Sequence, residues 1–91
     1  MSSASSHYEV ELSEVAKGDL SRLQSQVRDR LRLAFKVLSR NPRPPKSVKL
    51  KGRSGYRVRV GDYRIIYEIF DNKVIILVTR IGHRREIYRD S

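Results

Sequence analysis

The chain contains no cysteine, so no disulfide can staple its fold and no thiolate can hold a metal ion. It has no tryptophan and few other aromatics, and its 38% hydrophobic content allows a compact but modest core. Its two histidines, His7 and His83, lie far apart with no ligand spacing between them, so neither a metal nor a cofactor is expected. No apolar run approaches the roughly 18 residues that span a bilayer. The longest, Val74 to Val78, reads as a buried strand. The Ser-rich start, Met1 to Ser6, has neither the basic nor the apolar region of a secretory signal. The expectation is a cytoplasmic protein with no membrane partner.

Acidic residues are also scarce. Twenty Lys and Arg stand against ten Asp and Glu, a net charge of +10 on 91 residues. A solvated surface normally mixes the two signs to stay soluble. An excess of this size points to a polyanion, to an acidic protein partner, or to both.

At 91 residues the chain has room for a single core. Residues 1–7 are expected to form a disordered extension and residues 8–91 one domain. Tyr8 to Leu12 alternates apolar and acidic residues, the period of a half-buried strand. Ser13 is placed to cap a helix, with Glu14 in the first turn where the helix dipole favours negative charge. Ala16, Leu20, Leu23, Val27, Leu31, Ala34, Phe35 and Leu38 then recur every three or four residues, the mark of an amphipathic helix ending before Asn41-Pro42. Gly18 and the polar Gln24-Ser25-Gln26 divide this span, predicting two helices, with the second starting near Ser25 and packing back as a hairpin. All the prolines fall between Asn41 and Pro45, a loop. Val48 to Gly52 is a short extended piece. Tyr56 to Val60, Tyr63 to Phe70 and Lys73 to Arg80 read as strands joined by turns at Gly61-Asp62 and Asp71-Asn72. A polar tail, His83 to Ser91, follows Ile81-Gly82. The order β-α-α-β-β-β predicts an α+β domain: an antiparallel sheet packed against an α-helical hairpin.

Basic residues crowd one stretch. Nine of the residues from Arg40 to Arg64 are Lys or Arg, and the single acid among them is Asp62. Such a stretch can be no more than a solvated surface. The alternation suggests more. Tyr56, Val58 and Val60 share one sheet face, so Arg57 and Arg59 project from the other, and Arg64 can lie beside them. Guanidinium groups gathered on one face repel each other unless an anion is present, and phosphate matches their planar fork. The tail adds Arg84, Arg85, Tyr88 and Arg89. An aromatic among arginines suits single-stranded RNA, whose bases stack on rings and guanidinium planes. Tyr88 fits equally well as a C-terminal core anchor, and His83 as a surface position.

These residues carry a resemblance. Lys49-Leu50-Lys51-Gly52, the run Tyr56-Arg57-Val58-Arg59-Val60-Gly61-Asp62-Tyr63-Arg64-Ile65-Ile66-Tyr67, and His83-Arg84-Arg85-Glu86-Ile87-Tyr88 resemble, in order, the RelE/ParE superfamily of bacterial type II toxins, and the RelE branch in particular. The resemblance runs from Tyr8 to Arg89 and includes the Asn41-Pro42 pair. It implies a RelE-like fold and a toxin held inactive by a small cognate antitoxin, in a hetero-oligomeric complex that binds its promoter. It also implies an endoribonuclease that cuts mRNA in the ribosomal A site, against 16S rRNA, by 2′-hydroxyl attack on the neighbouring phosphate with no metal. Carried over by position, the catalytic residues would be Arg57, Arg59, Arg64, Arg84 and Tyr88. Lys49, Lys51, Arg53, His83 and Arg85 would contact RNA.

One departure bears on mechanism. Some members carry lysine where this chain has Arg57 and Arg59. Lysine can act as a base once its proton is lost, whereas arginine is effectively always charged. The general base therefore falls to His83, Lys49, Lys51 or a group of the ribosome. Three other readings stay open: a ParE-like inhibitor of DNA gyrase, a module that binds RNA without cutting it, and an inactive member that binds only its antitoxin.

Overall fold

The computed structural model describes residues 7–83. Met1 to Ser6 of the expected extension, and Arg84, Arg85, Tyr88 and Arg89 of the tail, lie outside the described residues. The elements are β1 (Glu9–Leu12), α1 (Glu14–Ser21), α2 (Ser25–Arg40), β2 (Val48–Lys49), β3 (Tyr56–Val60), β4 (Tyr63–Phe70) and β5 (Ile75–His83). They make one sheet in the order β1-β5-β4-β3-β2. Among the described residues no helix is long and apolar enough to cross a membrane.

The helical hairpin forms where its caps and stripe predict. The Ser13 hydroxyl accepts from the Ala16 amide at 3.1 Å, satisfying one of the donors left open at a helix start. The second helix begins at Ser25 and ends at Arg40, where the extended Asn41 donates its amide to the Val37 carbonyl at 2.9 Å and Pro42 forbids a further turn. Ala16, Leu31 and Leu38 of the apolar stripe are fully buried, and Leu20, Leu23, Val27, Ala34 and Phe35 pack against the same core. The sheet contributes Val58, Ile65, Tyr67, Ile76, Val78 and Ile81 to it.

From β2 to β5 the sheet is the expected antiparallel meander. The first strand departs from it. β1 pairs parallel to β5, with Glu9 opposite Ile75 and Leu12 opposite Val78. The helical hairpin carries the chain to the far edge, and the meander walks back until β5 lies beside β1 running the same way. Ser39 holds the start of β1: its carbonyl accepts from the Tyr8 amide at 2.8 Å and its hydroxyl donates to the Tyr8 carbonyl at 2.7 Å.

The last strand also differs from expectation. It starts at Ile75 rather than Lys73, because Val74 takes a left-handed backbone (φ 57°) to close the turn after Phe70. It runs on through Gly82 to His83 because Tyr63 and Arg64 of β4 need partners there. The Gly61-Asp62 hairpin turn is as read, with Gly61 at φ 61° in the left-handed region that favours glycine. The extended piece before it is shorter than read. Only Val48–Lys49 is strand, and the Leu50 amide donates to the Gly55 carbonyl at 3.0 Å to close a loop.

Tyr67 anchors the proline loop from below. Fully buried, it donates its hydroxyl to the Pro42 carbonyl at 2.7 Å and stacks on Tyr56 at 5.9 Å between centroids. Burial pushes its pKa above the ordinary tyrosine value. A surface network closes the same end of the sheet. Arg43 donates to Asp71 at 3.0 Å and to the Tyr56 hydroxyl at 3.1 Å, and the Tyr8 hydroxyl donates to Asp71 at 2.7 Å. Arg43, and then Tyr8, hold the Asp71 carboxyl below its usual range.

A candidate RNA-binding face on the sheet

The site is built on the sheet face turned away from the helices. In β3 the buried Val58 points to the core, flanked by Tyr56 and Val60, so Arg57 and Arg59 stand on the reverse side. Register extends that face into rows, because residues directly opposite in a ladder share a side. Val48, Arg57, Ile66 and Arg80 form one row across β2, β3, β4 and β5. Arg59, Arg64 and Gly82 form the next. The fold thus brings Arg57, Arg59 and Arg64 together on one surface.

Their environments differ. Arg59 is exposed and donates from Nε to the Gly61 carbonyl at 3.2 Å, which folds it back over the hairpin turn. Arg64 is only 7% exposed, a permanent cation largely removed from water. Opposite residues of this kind have Cβ atoms about 4.5–5.5 Å apart, and like charges so placed destabilise a sheet. Low solvent screening strengthens the field further. An anion over Arg59 and Arg64 relieves both the repulsion and the desolvation, and phosphate has the geometry to do so.

Beside this pair lies a depression of about 380 Å³ lined by Val48, Lys49, Leu50, Lys51, Arg53 and Arg57. It gathers three of the expected RNA contacts, Lys49, Lys51 and Arg53, with the expected catalytic Arg57 around one hollow at the β2 edge. The Lys49 ammonium also sits over the Tyr56 ring, 5.4 Å from its centroid. A second hollow of about 590 Å³ shares Arg53 with the first and is lined further by Ser13, Val15, Ser54, Glu68, Thr79 and Arg80.

His83 is placed elsewhere. It lies opposite Tyr63, on the core side of the sheet with Ile65 and Ile81, and its ring meets Tyr63 edge-on at 5.6 Å. The reason is a β-bulge. The register slips between Ile66 and Tyr67, so that Ile66 faces Arg80 while Tyr67 faces Val78, leaving Thr79 as the extra residue. Counting by twos from Ile76 and Val78 would put Arg80 in the core and His83 outside. The bulge exchanges them. Arg80 and Glu68 were not among the residues singled out by sequence, and only the slip of register could have revealed Arg80.

The family described as "ParE toxin of type II toxin-antitoxin system, parDE" matches residues 10–88. The protein named Toxin RelG, from Mycobacterium tuberculosis, is 32% identical over 84 residues, spanning 90% of this chain and 97% of that one. The mRNA interferase toxin RelE of Escherichia coli is 28% identical over 89 residues, spanning 92% of this chain and 93% of its own. A chain of the toxin-antitoxin complex RelBE2 from M. tuberculosis superposes with a TM-score of 0.77 at 28% identity, covering 86% of this chain and 92% of that one.

Proposed function

The chain belongs to the RelE/ParE family of type II toxin-antitoxin toxins, and on that premise we propose that it is a RelE-type endoribonuclease acting on mRNA in the ribosomal A site. The observation that carries the reading is the arginine cluster itself: Arg57, Arg59 and Arg64 on one sheet face, beside a hollow walled by Lys49, Lys51 and Arg53. This is a surface built for a phosphate chain.

In the proposed reaction the ribose 2′-oxygen attacks the adjacent phosphorus, a 2′,3′-cyclic phosphate forms, and the bond to the 5′-oxygen breaks. The 2′-hydroxyl proton leaves to a base, and the departing 5′-oxygen takes up a proton. No metal takes part in this scheme. Arg64, with Arg84 from the tail, clamps the scissile phosphate and stabilises the charge it gains in the transition state. Removal of one such donor costs on the order of 10²–10³ in rate. Arg57 and Arg59 hold the strand and add to the field, and neither can serve as the base. Lys49, Lys51 or the ribosome fills that role more readily than His83, whose ring lies across the sheet against Tyr63. Tyr88 stacks on a base or supplies the leaving-group proton.

A small acidic antitoxin is the proposed protein partner, as in the RelBE2 complex that this fold resembles. An apolar groove of about 450 Å³ between α2 and β3, lined by Ala34, Val37, Pro44, Pro45, Val58 and Val60, suits its docking. We place the toxin in the cytoplasm, in a hetero-oligomer with its antitoxin that binds their own promoter.

The match to the ParE description favours a second reading, poisoning of DNA gyrase. Two assays run together separate them. Ribosome-programmed mRNA shortened by the purified chain, with gyrase supercoiling unaffected, supports the nuclease. Blocked supercoiling with intact mRNA replaces it.

A further inference from the structure

Arg80 owes its position to two devices that the proposed chemistry does not use. The first is the bulge at Thr79, which turns Arg80 out of the core and into the row of Arg57 and Ile66. The Thr79 hydroxyl donates to the Ile66 carbonyl at 3.1 Å, and the Thr79 carbonyl accepts from Ser13 Oγ at 3.2 Å, so the bulge is pinned from both sides. Bulges of this kind commonly re-aim a side chain beside a functional site.

The second device is Asp19 of α1, a carboxylate only 7% exposed. β1 covers β5 only as far as Val78, and Asp19 takes over beyond it, accepting from the Ile81 amide at 2.9 Å and from Arg80 Nε at 3.2 Å. The strand edge alone needs an acceptor there, not a charge. Burial of a carboxylate is costly, and it is offset here by ion pairs with Arg80 and, at 3.5 Å, with Arg22, the first of which fixes the Nε end of the Arg80 guanidinium.

Arg80 and Arg57 are two interstrand steps apart, about 10 Å, with the buried Ile66 as an apolar floor between them. Arg53 lies between the two hollows, walling the one that holds Arg57 and the one that holds Arg80, where two arginines stand against the single carboxylate of Glu68. We propose that Arg80, with Arg53, forms a second phosphate subsite that holds the RNA strand beyond the scissile position, and that Asp19 is the positioning residue that aims Arg80. This rests on the reading of the face as an RNA site.

The test is binding by the full-length purified chain of a short fluorescein-labelled single-stranded RNA with 2′-O-methyl riboses, which cannot be cut, followed by anisotropy across a salt series. Arg80→Ala is expected to weaken binding about tenfold, the scale of a charged hydrogen bond, and to lower the log–log salt slope by about 0.7, one phosphate contact on a single strand. Arg80→Lys keeps the slope and recovers part of the affinity. Asp19→Asn retains an acceptor for Ile81 and adds net positive charge, yet is expected to weaken binding at least threefold when measured well below its own melting temperature, where the variant is folded. Tighter or equal binding by Asp19→Asn overturns the positioning role. An unchanged slope in Arg80→Ala, or no binding of the probe by the wild type, overturns the subsite. Cleavage of ribosome-bound mRNA is measured in parallel. Cleavage with an unchanged slope sinks the subsite and leaves the nuclease standing, whereas a lowered slope without cleavage does the reverse.

Discussion

Arg64→Met separates a phosphate clamp from a structural arginine. The wild-type side chain is 7% exposed, so it carries a desolvation penalty into the folded state, and its ladder partner is a second arginine, Arg59. Methionine is unbranched and adaptable enough to occupy the same position, opposite Gly82 in the ladder, without that penalty. Replacement of buried charge by apolar side chains is often neutral or stabilising. The folding free energy of the variant should therefore fall by no more than about 2 kcal/mol, within the ordinary range for a point substitution. Its single-turnover cleavage of ribosome-bound mRNA should fall on the order of 10²–10³, equivalent to about 2.7–4 kcal/mol of transition-state stabilisation. Urea unfolding gives the first quantity and quenched-flow cleavage at saturating toxin the second. Wild-type cleavage by a folded Arg64→Met would refute the clamp. A stability loss as large as the loss in activation free energy would show that Arg64 acts through the fold.

Three further outcomes follow from contacts elsewhere in the fold. Tyr67→Phe leaves the Pro42 carbonyl without its buried donor and should cost about 1–2 kcal/mol, read as a lower urea midpoint; an unchanged midpoint would mean that the proline loop is held by other contacts. Ser13→Ala removes both the α1 cap and a bond to the bulge carbonyl, and should cost about 1 kcal/mol or more, with faster amide exchange at Ile81. Asp71 has a folded pKa below its ordinary 3.8, so its contribution is complete above that value and is lost as pH falls through the folded pKa. The stability gap between wild type and Asp71→Asn should accordingly be constant near neutrality and close on strong acidification; a gap that widened in acid would contradict the Arg43–Asp71–Tyr8 network.

What could be read from sequence was local. The helix boundaries rest on Ser13, Ser25 and Asn41-Pro42, and the β3–β4 hairpin on strict alternation around Gly61-Asp62, so both appear in the structure nearly residue for residue. Parity within that hairpin sufficed to put Arg57, Arg59 and Arg64 on one face. The pairing of β1 with β5 could not be read, because it joins segments more than sixty residues apart and depends on how the meander closes. Nor could the bulge, since nothing in Val78-Thr79-Arg80-Ile81 announces an unpaired residue until β4 is laid beside it. That single slip misdirects any count along β5, so parity alone would leave Arg80 in the core. Asp19 was invisible for a related reason: an acid on a short helix looks solvent-facing until a strand edge needs its oxygen.

The most direct test of the central claim is primer extension on mRNA in a purified translation system, with and without ribosomes. Wild type is compared with Arg84→Ala and Tyr88→Phe. New 5′ ends inside A-site codons, present only with ribosomes and lost in both variants, are the predicted result. Intact mRNA in every wild-type lane would contradict the claim and turn attention to gyrase.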